Sequence, residues 1–190
     1  MNNSSICSVL DTKVRIFNFF AFLFFGGLAV LFLYYKTLGG IGFAMASGFF
    51  GLMQGLISIF LVCLSLLGTY VLCKNRGGRA KLILALVSVL LFAFALNQAI
   101  IWKFKYDEGL FFGGDVLTKL SVDDMLYFTL YYFITFFQWL FGIVLSLSFM
   151  ISSVNGESTA NYLNRAHLFS LLKPFVFSVF CVFLFFHLWT

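Results

Sequence analysis

Any chemistry in this chain would have to be built from two histidines, four cysteines and a few amides and hydroxyls set within long apolar runs. A pair of imidazoles can hold haem or a metal ion, but His167 and His187 are 20 residues apart, which on one helix separates them by about 30 Å. They cannot share one iron, and each reads as an interfacial histidine at one end of a helix. Cys63 and Cys181 fall inside apolar runs and read as small packing residues. Cys7 and Cys73 fall on the side that the basic residues assign to the cytoplasm, where a structural disulfide is not expected. Cys73, beside Lys74 and Arg76 at a helix end, has the setting of an S-palmitoylated cysteine; the plainer reading is a free thiol. The sequence offers no paired carboxylates within a run, no nucleophile with a plausible base, no phosphate-binding glycine loop and no Cys/His cluster. The expectation is therefore no catalytic residue, no metal and no cofactor.

The small and amide residues point to helix packing instead. Gln54 sits beside Gly51 and Gly55, Asn97 and Gln98 lie near the end of the third apolar run, and Gln138 is followed by Gly142 and Ser146 in the fourth. Each could line a cleft, but interhelical hydrogen bonding, at about 0.6 kcal/mol per contact, is the expected use. The second run carries a seam of mostly small side chains, Ala44, Gly48, Gly51, Gly55, Ser58, Val62, Ser65 and Thr69, in alternating steps of 4 and 3. In lipid the hydrophobic effect does not drive helices together, so close backbone approach over such a seam supplies the contact. A neighbouring helix is expected there, from this chain or another.

These residues are carried by elements that composition assigns to a bilayer. Hydrophobic residues make up 62% of the 190 residues and charged ones 10%, more apolar surface than a soluble core of this size could cover. A crossing needs about 20 apolar residues. Uncharged stretches predict an all-α polytopic bundle, one membrane domain over residues 1–190, with spans at 16–35, 46–73, 82–102 and 125–153 and a fifth at 174–190. An outer loop at 103–124 and inner loops at 74–81 and 154–173 join them. Leu38 to Gly42 reads as a glycine-rich turn. Ser121 followed by Asp124 has a capping-box spacing, and Pro174 suits the first turn of the fifth helix. Tyr34, Tyr35, Tyr127, Tyr131, Tyr132, Trp102 and Trp189 read as interface markers, with Trp139 deeper.

Basic residues set the expected orientation. A cytoplasmic amino terminus gathers Lys13, Arg15, Lys74, Arg76, Arg79, Lys81, Arg165 and Lys173 inside, against Lys36, Lys103, Lys105 and Lys119 outside. Lys74, Arg76, Arg79 and Lys81 then form a rim suited to lipid headgroups, and nothing suggests nucleic acid. The first run is too long for a cleaved signal peptide and reads as a signal anchor. The absence of ionisable residues from the middle of the first four spans argues against a pump or a charged-substrate transporter.

The polar head ending in Lys13-Val14-Arg15-Ile16-Phe17-Asn18-Phe19, a glycine-containing first span, a small-residue second span, a brief basic loop and a Phe/Tyr/Gln/Gly/Ser fourth span together resemble the MARVEL-type tetraspan proteins over Thr12 to about Ser153. That resemblance implies cytoplasmic termini, no catalytic site and a role in organising membrane domains, trafficking or junctions. Gly68 to Arg76 is similar to the corresponding stretch of tetraspanins, whose Cys-Cys-Gly motif and large outer domain are absent here. A fifth span departs from both families. The expected function is a noncatalytic scaffold acting through lateral helix and lipid contacts, its partners being membrane lipids and other integral membrane proteins, including copies of itself. The alternatives are an accessory subunit of a large respiratory or photosynthetic complex and a small channel or lipid transporter. The expected location is the endomembrane system or the plasma membrane, with the mitochondrial inner membrane or another organellar membrane as the alternative.

Overall fold

A computed structural model of the protein describes residues 3–39, 52–74, 80–111, 113–154, 159–184 and 186. Among these residues the structure is helical with no strand. Among the described residues five α-helices make up the bundle: α1 (Asn3–Gly39), α2 (Leu52–Lys74), α3 (Ala80–Asp107), α4 (Val122–Val154) and α5 (Thr159–Phe183). Val14–Tyr35, Leu52–Leu72, Ala80–Asp107 and Asp124–Val154 are long and apolar enough to cross a membrane, so this is an integral, multi-pass membrane protein.

Several boundaries differ from the sequence reading. The polar head is helical from Asn3, and α1 continues through Leu38 and Gly39, which the glycine-rich turn was expected to include. Residues 40–51, with the expected start of the second helix, lie outside the described residues. The largest correction concerns α5. It starts at Thr159, within the expected inner loop, and Pro174 sits inside it rather than in its first turn. Proline removes one backbone hydrogen bond, but a side-chain seam runs uninterrupted through it: Leu168, Leu172, Phe175, Val179, Val182 and Phe186 are all buried, in steps of 4 and 3. Tertiary packing on that seam outweighs the local break.

The seam also shows how the bundle closes. One end carries the α3–α4 connection and is here termed the loop end; the other is the far end. At the far end Leu168 and Leu172 pack in a cluster with Leu72, Ala80, Leu84 and Phe149. At the loop end Val182 and Phe186 join Phe32, Leu110, Leu117 and Tyr127. A single helix thus reaches both ends of the core. Its main neighbours are α2, α1 and α4, while α3 packs on α2 and α4.

The connection between α3 and α4 is ordered by its backbone. Gly109 adopts φ +72°, Gly109 N–H donates to the Tyr106 carbonyl at 3.0 Å and Leu110 N–H donates to the Lys105 carbonyl at 2.9 Å. This is a Schellman closure of α3, which requires a left-handed residue after the helix. Leu110, the next residue, is buried in the core. At the start of α4, Asp124 N–H donates to Ser121 Oγ at 3.2 Å and the Ser121 hydroxyl donates to Asp124 Oδ2 at 2.7 Å. The expected cap is formed.

Candidate functional site

The described part of the α2 seam is consumed inside the chain. Gly55, Ser58, Val62, Ser65 and Thr69 are buried, and α2 packs chiefly on α3 and α5. Ala44, Gly48 and Gly51 lie outside the described residues. Each seam hydroxyl donates to the carbonyl four residues back: Ser58 to Gln54 at 3.1 Å, Ser65 to Leu61 at 2.9 Å and Thr69 to Ser65 at 2.7 Å. Their protons are satisfied within the helix, so the face can be packed dry. A close approach between α2 and α3 falls on Gly68, which the seam omitted: a Cβ there would lie 2.9 Å from Val87 Cγ2. Gly142 is similarly close, 3.2 Å from the Phe94 ring.

Polar side chains join the helices through the core. Ser88 and Ser146 each donate to the other's carbonyl, at 2.8 and 2.9 Å, clasping α3 to α4. Asn97 Nδ2 donates to Ser58 Oγ at 2.9 Å, linking α3 to α2. Gln98 Nε2 donates to the Tyr131 hydroxyl at 3.4 Å and Trp102 Nε1 to Thr135 Oγ1 at 3.2 Å. Asn18 Nδ2 donates to Ser170 Oγ at 2.5 Å, a polar tie between α1 and α5. Gln138 is 1% exposed, and its Nε2 has no hydrogen-bond partner.

Tyr127, Tyr131 and Tyr132 correct the interface reading. They turn inward at the loop end and are buried, with Tyr127 and Tyr131 both edge-on to Phe186, at 5.1 and 5.2 Å between ring centres. Tyr34 is exposed. Lys105, counted as an outer charge, is buried and pairs with Glu108 at 2.8 Å.

On the outer surface between α3, α4 and their connection lies a groove of about 270 Å³, lined by Trp102, Phe111, Thr129, Tyr132, Phe133 and Phe136. Its polar groups are turned into the protein: the Trp102 indole bonds Thr135, the Thr129 hydroxyl donates to the Met125 carbonyl and the Tyr132 hydroxyl donates to the Leu110 carbonyl. The wall therefore offers hydrocarbon and aromatic rings. Sequence reading missed this groove because it is assembled from three segments, and only Trp102 and Tyr132 had drawn notice.

Of the expected headgroup rim, Lys81 is exposed; Arg76 and Arg79, and the side chains of Lys74 and Cys73, lie outside the described residues. His167 is half-buried on α5 and His187 lies outside the described residues. Among the described residues no three His, Cys, Asp or Glu side chains converge as metal ligands. Cys63 and Cys181 are free thiols, both half-buried. Comparison with protein-family models and with curated proteins gives no match to this chain.

Proposed function

We propose that this protein is a noncatalytic membrane organiser that works through its lipid-facing surface, in the manner of the MARVEL-type proteins its layout resembles, in an endomembrane or plasma membrane. The observation that carries the reading is the contrast between interior and exterior. Inside, hydroxyls and amides bond either between helices or back onto their own helix, and the two core cavities described have volumes of only about 10 Å³ each. Outside, an aromatic groove of about 270 Å³ opens sideways with its hydrogen-bonding groups already engaged. A hydrocarbon chain suits such a wall, since it forfeits no hydrogen bond on entering. The buried α2 seam is occupied by the chain itself, so lateral contact falls to other faces.

A second reading, an accessory subunit of a larger membrane assembly, is favoured by α1. Only 11% of its apolar window is buried, and Phe19, Phe20, Leu23 and Val30 are exposed. Extraction at native abundance in mild detergent separates the two. Particles of this protein carrying lipid support the organiser, whereas a complex of fixed stoichiometry with other membrane proteins supports the subunit and sinks the first reading.

A further inference from the structure

At the middle of the bundle, where α2, α3, α4 and α5 meet, lies a cavity of about 10 Å³ whose polar lining is Ser58, Gln98, Tyr131 and Gln138. Four observations converge on what it holds. The first is size: about 10–15 Å³ of space for a probe centre is what one water molecule needs, and nothing larger fits. The second is demand. Gln138 is the midpoint of α4, is 1% exposed, and carries an amide nitrogen with no partner in the protein. Turning that amide over would set a carbonyl oxygen in the same place and leave the same need for a partner. The third is the opposite wall. Ser58 Oγ donates to the Gln54 carbonyl and accepts from Asn97, which leaves one of its two lone pairs. Gln98 uses its nitrogen toward Tyr131 at 3.4 Å, a long bond, and its carbonyl oxygen is an acceptor for a donor on this wall. The fourth is that a buried water is stable when it has two to four polar partners, which these groups supply.

We propose that this cavity is a binding site for one ordered water molecule, which accepts a hydrogen bond from the Gln138 amide and donates to Gln98 Oε1 and Ser58 Oγ. The water ties three helices together at a depth where the bilayer offers no solvent, completing what the direct bonds leave open. It turns Gln138 from an orphaned amide into the centre of the polar core.

Two measurements on the full-length protein in lipid nanodiscs test this. A structure at a resolution that shows ordered solvent should have a density peak within hydrogen-bond distance of both Gln138 and Gln98; an empty cavity, or Gln138 bonded directly to protein, would overturn the proposal. The second measurement is the sign of the change in melting temperature for Gln138→Met, which keeps length and removes the amide. With water bound, the substitution strands Gln98 and Ser58, and the melting temperature should fall by about 2–4 °C. If the site is dry, Gln138→Met removes an unsatisfied group and the protein melts at the same temperature or higher. Should the variant fail to fold, the density in the unaltered protein decides.

Discussion

The two halves of the bundle solve the same packing problem with different side chains. The far half is chiefly aliphatic: Leu72, Ala80, Leu84, Val87 and Leu172 form its core around Phe94, Phe149 and Phe175, Gly68 lets α2 approach Val87, and Ser88 and Ser146 exchange hydrogen bonds. The loop half is aromatic: Phe32, Tyr127, Phe128, Tyr131, Tyr132 and Phe186 pack mostly at tilted or edge-on angles. Small residues allow backbones to close and leave little surface relief. At the loop end, space between the edges of rings emerges at the surface as a groove. Close packing over small residues and the proposed lipid groove thus lie toward different ends of the bundle.

The largest test of this contrast is Gly68→Leu. A side chain there must displace Val87, and overpacking of this kind should cost at least about 2 kcal/mol, read as a loss of thermal stability in detergent. Gly27→Leu is its control, because nothing lies within 4 Å of a Cβ at that position; a change beyond about 0.5 kcal/mol there would be unexpected. At the loop end, Gly109→Ala forces a residue with a Cβ into a left-handed conformation and sets that Cβ 3.1 Å from Val116. The expected cost is about 1–2 kcal/mol, and an unchanged melting curve would show that the Schellman closure contributes nothing. A double-mutant cycle on Ser88→Ala and Ser146→Ala should give a coupling of about 1 kcal/mol; additivity of the two single effects would remove the clasp from the account of the far half. The smallest effect on stability is expected from Thr129→Phe, which fills the groove from an exposed position and should stay within about 0.5 kcal/mol. Native mass spectrometry should nonetheless show fewer retained lipids with this variant. Equal retention would mean that the groove is not where lipid is held.

Parts of this arrangement were legible in the sequence for definite reasons. Uncharged runs of sufficient length mark helices in lipid, and Ser121 with Asp124 marked the start of α4 to the residue. The 4-and-3 spacing on α2 picked out Gly55, Ser58, Ser65 and Thr69, all of which are buried, but not whether the covering helix belonged to this chain. The same spacing was present on α5 from Leu168 to Phe186. It was hidden because Lys173 and Pro174 interrupt the uncharged run, and reading spans from charges alone turns that interruption into a boundary. The inward turn of Tyr127, Tyr131 and Tyr132 was out of reach for another reason. Position near a helix end looks the same for a ring facing lipid and one facing the core until the neighbours are known. The groove was illegible altogether, since none of its three segments forms it alone.

The tie between α1 and α5 bears on how the molecule is made. Among the described residues α1 finds its principal neighbour in α5 and has only slight contact with α4. In chain order α2, α3 and α4 lie between α1 and that neighbour, so until α5 is made Asn18 lacks its Ser170 partner. The contacts that join α2 to α3 and α3 to α4 can by contrast form without α5. A chain ending before Thr159 should therefore leave Asn18 open to crosslinking that the longer chain protects.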